Sequence, residues 1–393
     1  MKQKYIIPED HINSLEHATP FFVLNTQAVT DMYFEYHKRF PGIDIYYAMK
    51  SNSELPVLRA LQEVGCGFEV ASYYELEILK KLGVNPKRII YGTAVKPFEQ
   101  IKAAHRYGVD RFSVDSSQEV KKIAQAAPGS RVFVRALSDD SESVFSMSDK
   151  FGVPLDEVVD LIVEAKSLGL KTYGISFNVG SQAGNAMAWA QAIESLVPII
   201  SELKDKGIML DVINLGGGYP WEYQPNLGTP TLTDISVNIA RACQLLPYNL
   251  QLIMEPGRGL VAHSSVLVAS VIGKVKRRGK TWLYLDAGTY NALFEAMAHQ
   301  GLTPYRVSWL DIEDDKSLES MTLTGPTGDG LDVITHHSLL PSSLEVGDRL
   351  VFHDVGAYTI CMAGPFNGFP VPPLYTYSRD LLRNLAYSSK LEN

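Results

Sequence analysis

Between about residue 40 and residue 258, short apolar runs alternate with amphipathic stretches. The runs end near Ala48, Val70, Tyr91, Val114, Arg135, Asn178, Leu215 and Met254. The stretches between them carry helix signals. Ser53 stands as an N-cap before Leu55, Leu58, Leu61 and Val64, which fall at three-residue spacing. Ser72 precedes Glu75 as a capping box, Leu76, Leu79 and Leu82 form the buried stripe, and Gly83 sits where a helix stops. Val158, Leu161, Ile162, Ala165 and Leu168 before Gly169 repeat that design. Eight such alternations predict a closed (β/α)8 barrel more economically than an open sheet.

After about residue 265 the pattern changes. Strand-like runs at 266–271, 281–285 and 349–352 are separated by turn residues, and Pro and Gly cluster between 364 and 373. This predicts a second, mostly β domain. The expected division is an α/β barrel over 26–262 and a β domain formed by 1–25 and 263–393, since chain ends often meet.

Composition narrows the function classes. With 393 residues, 46% hydrophobic and 20% charged, the chain has material for more than one core. A net charge of -8 argues against nucleic acid as a partner. No apolar run approaches the ~20 residues of a membrane span. Pro8, Glu9 and Asp10 follow Lys4 where a signal peptide would carry its apolar core, so no membrane partner and a cytoplasmic location are expected. Cys66, Cys243 and Cys361 form no Cys-x-x-Cys pair and are read as reduced packing residues. The nine histidines show no His-x-x-x-His spacing; His336-His337 is read as a solvated turn, and no metal site is expected.

Candidate chemistry lies at the ends of the predicted strands, where barrels of this kind place their active sites. Lys50 follows the apolar run Ile43-Asp44-Ile45-Tyr46-Tyr47-Ala48; a desolvated amine there can form a Schiff base with an aldehyde, and the alternative reading is a snorkelling strand-end lysine that stays protonated. Gly216-Gly217-Gly218 and Glu255-Pro256-Gly257-Arg258 follow the seventh and eighth runs, the usual place for a phosphate group. Consecutive glycines let backbone N–H groups approach an anion, and Arg258 adds a charged fork.

Six motifs together carry a resemblance: Tyr47-Ala48-Met49-Lys50-Ser51-Asn52, Ser176-Phe177-Asn178-Val179-Gly180-Ser181, Leu215-Gly216-Gly217-Gly218, Glu255-Pro256-Gly257-Arg258, Gly325-Pro326-Thr327-Gly328-Asp329-Gly330 and Phe366-Asn367-Gly368-Phe369. In collinear order across nearly the whole chain, they resemble the ornithine/diaminopimelate decarboxylase family, pyridoxal-phosphate (PLP) enzymes built as an alanine-racemase-type barrel plus a β domain. The resemblance implies that Lys50 holds the cofactor aldehyde and Glu255 faces the pyridine nitrogen. It implies that Gly216, Gly217, Gly218, Ser181, Arg258 and Tyr358 hold the phosphate, with Glu69 and Arg135 as polar neighbours of the lysine and ring. It further implies a homodimer with shared sites, in which Asp329 reaches the partner's site and Lys150 and Asp332 pair across the interface.

This sequence departs from the family's pattern at three places. Asn178 replaces a histidine that lies over the cofactor ring, and Gly328 replaces a cysteine preceding the interface aspartate. By collinear counting, His299 takes the place of an acid that binds a free distal ammonium in ornithine enzymes, with Glu295 nearby. These features imply a PLP-dependent α-decarboxylase of a small-molecule diamino acid. With His299 and Asp329 as substrate-binding residues, they lean towards a side-chain-acylated substrate of the N-citryl-ornithine, siderophore-precursor type. Free ornithine, lysine or diaminopimelate is the alternative substrate. A racemase on this fold is disfavoured by Glu255, where racemase relatives use arginine, and an inactive binding protein by retention of Lys50, Glu255, Arg258 and Asp329.

Overall fold

The structure, a computed structural model, describes residues 7–15, 17–224, 228–298, 305–310, 312, 317–377 and 386–387. It divides into two compact units: Asp31–Trp221 with Asn226–Leu260, and Met1–Thr30 with Glu222–Pro225 and Val261–Asn393.

The first unit contains a closed barrel of eight parallel strands. They are β1 (Ile43–Ala48), β2 (Gly67–Val70), β3 (Ile89–Tyr91), β4 (Arg111–Val114), β5 (Arg131–Arg135), β6 (Lys171–Ser176), β7 (Val212–Asn214) and β8 (Gln251–Met254). Closure runs through β8 and β1, with Leu252 opposite Ile43 and Met254 opposite Ile45. The strands are buried runs because helices cover the outside while side chains fill the inside. Tyr46, Ile90, Phe133, Tyr173, Val212 and Ile253 form that interior cluster. Arg111 donates to the Tyr46 hydroxyl and lies 5.6 Å from the Tyr173 ring centre. The interior is therefore a packed core, and chemistry is left to the strand ends.

Local signals account for the helices. Ser72 accepts the Glu75 N–H at 3.2 Å, and Gly83 and Gly169 adopt the left-handed conformation that ends their helices. The expected cap at Ser53 does not form. A short 3-10 turn, Met49–Ser51, follows β1, and the helix starts at Leu55 with Glu54 at the cap position and Pro56 in its first turn. The Asn52 side chain accepts the Glu54 N–H instead, at 3.0 Å. Strands β6 and β7 also stop at Ser176 and Asn214, just short of the expected Asn178 and Leu215.

In the second unit, Phe21–Asn25 pairs antiparallel with Ser265–Arg277 and parallel with Leu374–Tyr377. Phe21, Val23, Val266, Val268 and Val351 pack together beneath it, so the early chain is built into the β core. Lys280–Leu285, Leu318–Thr324 and Val333–Pro341 extend the sheet. His336 and His337 lie within Val333–Pro341 rather than in a turn. The pairing register shifts there, with Met321 opposite Ser338 but Leu323 opposite Thr335, and the irregularity leaves both rings exposed. Among the described residues, no helix is long and apolar enough to cross a membrane, and no group of His, Cys, Asp and Glu could hold a metal ion.

Candidate active site

Lys50 sits in the turn that closes β1, between the buried Met49 and Ser51, and is itself exposed at the strand end. The turn is held from several sides. Ser51 Oγ donates to the Ala48 carbonyl at 2.9 Å, Tyr47 donates its hydroxyl to the Asn52 carbonyl at 2.9 Å, and the Ala48 N–H reaches the Pro256 carbonyl at 3.1 Å. A Cβ on Gly257 would lie 3.1 Å from Ser51 Cβ, so the loop after β8 sits directly against the lysine turn.

Glu69, 5% exposed, lies next to the end of β2 in register with Ala48. Its carboxyl occupies space that only a glycine at position 92 leaves, since a Cβ there would meet Glu69 Oε1 at 2.3 Å. Burial raises the Glu69 carboxyl above its ordinary range, against the pull of Lys50 and Arg135. Arg135, the last residue of β5, has its guanidinium 5.0 Å from the Phe151 ring centre. Burial lowers its basicity, and Glu255, Asp115, Glu69 and Asp140 oppose that shift.

Glu255 follows β8. Burial first and the Glu69 charge second push its carboxyl up to about 7, while the Asn214 hydrogen bond, Lys50 and Arg135 act the other way. Asn214 was not anticipated as a site residue. Its Nδ2 donates to Glu255 Oε1 at 2.6 Å, and its Oδ1 accepts the Gly216 N–H at 2.9 Å. One amide thus fixes both the carboxylate and the first glycine of the loop. Its sequence signal is a polar residue closing the apolar run Val212-Ile213 immediately before the glycines. Glu75 also joins the electrostatic cluster: burial raises its carboxyl to about 7 while it accepts the Ala71 N–H at 2.6 Å.

The glycine loop has no room for side chains. Gly216 and Gly218 are left-handed, and Cβ atoms there would lie 2.0 Å from the Phe177 carbonyl oxygen and 2.6 Å from that of Gly180. A Cβ on Gly217 would lie 3.0 Å from the Glu255 carbonyl oxygen, a tight fit. Asn178 does not project as a free side chain, because its Oδ1 accepts the Gly180 N–H at 3.0 Å and shapes the turn beside this loop. Ser181 follows, and its Oγ accepts from Arg258 Nη2 at 3.4 Å. Arg258, 5% exposed, begins the short helix Arg258–Val261. The glycine loop, the Ser181 hydroxyl and the Arg258 guanidinium therefore lie together at the strand ends, a donor set suited to an anion cradle, with the Glu255 carboxyl tied to the same loop through Asn214.

The remaining expected residues belong to the β unit. Tyr358 is one of the few non-glycine residues with a left-handed backbone. Asp329 is exposed and accepts the Tyr290 hydroxyl at 3.1 Å and the Leu331 N–H at 2.8 Å. Gly328 has open space around it but a left-handed backbone, which disfavours a cysteine there. Asp332 is 0% exposed, and its carboxylate accepts four hydrogen bonds, two each from Thr289 and Thr327. Within one subunit it is a buried anchor of this loop. His299 lies outside the described residues. Glu295, 7% exposed, is carried by the helix Phe294–Ala298.

A packed parallel barrel with a lysine, a carboxylate and a glycine-arginine cradle at its strand ends defines a PLP barrel enzyme, and the cradle, amine and carboxylate fit that cofactor. Comparison with known proteins specifies the class. Residues 26–262 match the family described as pyridoxal-dependent decarboxylase, pyridoxal binding domain. The chain is 32% identical over 362 residues to a lysine/ornithine decarboxylase of Selenomonas ruminantium, covering 90% of this chain and 88% of that protein. Among solved structures, SrLDC in complex with PLP and cadaverine superposes with a TM-score of 0.86 at 31% identity, covering 95% of this chain and 94% of that one. The Paramecium bursaria Chlorella virus arginine decarboxylase bound to agmatine gives a TM-score of 0.87 at 30% identity, covering 94% and 100%. The chain belongs to the ornithine decarboxylase family of fold III enzymes and is a PLP-dependent amino-acid decarboxylase.

Proposed function

We propose that this enzyme removes the α-carboxylate of a free basic amino acid of the lysine or ornithine type, in a homodimer whose active sites are shared between subunits. The observation that carries the site assignment is the Asn214 amide, which ties Glu255 to the glycine cradle beside the Lys50 turn. When bound, PLP supplies an electron sink for the pair left on the α-carbon as CO2 departs. Lys50, in the turn that closes β1, would hold the cofactor through its amine. Gly216, Gly217, Gly218, Ser181 and Arg258, with Tyr358, hold the phosphate. Glu255, oriented by Asn214, keeps a proton at the ring nitrogen, a task suited to a carboxyl whose affinity for protons burial has raised. Arg135 and Glu69 would balance charge near the Lys50 amine, and Asn178, which shapes the turn beside the glycine loop, would stand close to the cofactor.

The substrate's far end calls for acid. Asp329, contributed by the partner subunit, supplies a carboxylate for it, because an unpaired ammonium is costly to desolvate. Relatives named for lysine, ornithine and arginine, and structures holding cadaverine and agmatine, support a free basic substrate over the acylated N-citryl-ornithine type. The acylated reading rested on His299. The test is kcat/KM for lysine, ornithine and N-citryl-ornithine, read as CO2 release. Preference for either free amino acid is expected, and a clear preference for the acylated compound would overturn the substrate assignment.

A further inference from the structure

Trp189, Tyr36 and Tyr219 are among the largest wholly buried side chains of the barrel unit, exposed by 0%, 0% and 1%. The Trp189 and Tyr219 rings stack with centres 4.7 Å apart and planes 22° from parallel. Tyr36 meets Tyr219 edge-on at 5.8 Å, and Phe40 meets it edge-on at 5.7 Å. Hydrogen bonding does not hold this cluster, since among the described residues the Trp189 indole N–H and the hydroxyls of Tyr36 and Tyr219 have no partner. What the rings do make is contact with the two loops of the anion cradle. A Cβ on Gly218 would lie 3.4 Å from the Trp189 ring, and Tyr219 is the next residue in the chain. A Cβ on Gly259, which follows Arg258, would fall 2.1 Å from the Tyr36 hydroxyl and 3.2 Å from the Tyr219 carbonyl oxygen.

We propose that the Trp189–Tyr219–Tyr36 stack is a positioning element for the cofactor phosphate, setting the glycine loop and the Arg258 loop at a fixed separation. This rests on the phosphate role assigned above to those loops. The stack touches both loops from behind and is sealed from solvent, so it acts through their backbones rather than on the ligand. Stacked rings suit the task because they are stiff, closely packed and low in rotamer freedom. The Tyr36 oxygen acts as a wedge: it fills the volume a side chain at 259 would need, and so fixes how closely the start of the Arg258 helix approaches the stack.

The test titrates the cofactor-free full-length chain with PLP and, separately, with pyridoxal, which lacks the phosphate. The variants are Trp189→Leu, Gly259→Ala and the double variant Gly259→Ala/Tyr36→Phe. The single changes are expected to weaken PLP binding about tenfold or more while moving pyridoxal by less than about twofold. Tyr36→Phe should recover a measurable part of the loss caused by Gly259→Ala, because it deletes the oxygen at 2.1 Å and leaves the milder contacts with the ring carbon Cζ at 3.3 Å and the Tyr219 carbonyl oxygen at 3.2 Å. If Trp189→Leu does not fold, the Gly259 pair decides the matter alone. Equal losses for both ligands, unchanged PLP affinity or failure of the rescue would overturn the proposal. A wild type that binds PLP no better than pyridoxal would overturn the phosphate role of the loops and this inference with it. A normal preference for PLP in the wild type that the variants leave unmoved would overturn the inference alone.

Discussion

At the scale of single residues, the site works by placing acids where water cannot fully solvate them. Glu255 and Glu75 are each pushed up to about 7, and Glu69 is also raised, chiefly by burial. The folded chain therefore holds protons that the unfolded chain releases near its ordinary carboxylate values. The stability these groups contribute is present in full below about pH 4.5 and is lost as pH rises through about 7. Thermal unfolding of the cofactor-free enzyme should accordingly shift to lower temperature between about pH 5 and pH 8, and Glu255→Gln should flatten that slope. A melting temperature that climbs across this window would contradict the protonation assigned to the cluster. The residues that carry the cluster were unevenly legible. Lys50, Glu255 and the glycines announce themselves by following apolar strands. Asn214 and Gly92 do not, because one acts on a carboxylate 41 positions away and the other by leaving space for Glu69.

At the scale of elements, apolar runs bounded by turn residues marked six of the eight barrel strands to their last residue, from Ala48 to Met254. The pattern fails where a side chain overrides it. Asn52 binds the N–H of Glu54, so the helix begins two residues after Ser53 and without a side-chain cap, and a bulge turns both His336 and His337 outward in a strand that reads locally as a turn. The loop of residues 325–332 shows the same dependence on partners that the sequence does not display. Its buried Asp332 gathers the N–H and hydroxyl of Thr289 and of Thr327, joining two loops of the β unit. Asp332→Ala would leave those donors without their acceptor, so a loss of about 3 kcal/mol in unfolding free energy is expected, read from denaturant melts. A change below about 0.5 kcal/mol would show that the anchor carries little of the loop's stability.

At the scale of the whole molecule, the proposed shared site makes a specific demand on assembly. Lys50→Ala and Asp329→Ala each disable a different contribution to the site, one from each subunit. Mixing the two inactive variants should restore up to about one quarter of wild-type activity, since random exchange makes half the dimers hybrid and each hybrid has one intact site. No recovery, with exchange verified, would mean that each subunit carries its own complete site. The most direct test of the central assignment is reduction of the PLP-loaded enzyme with borohydride, followed by peptide mapping. A single pyridoxyl adduct on Lys50, absent from Lys50→Ala, is the expected result; an adduct on any other lysine of the wild-type chain would contradict it.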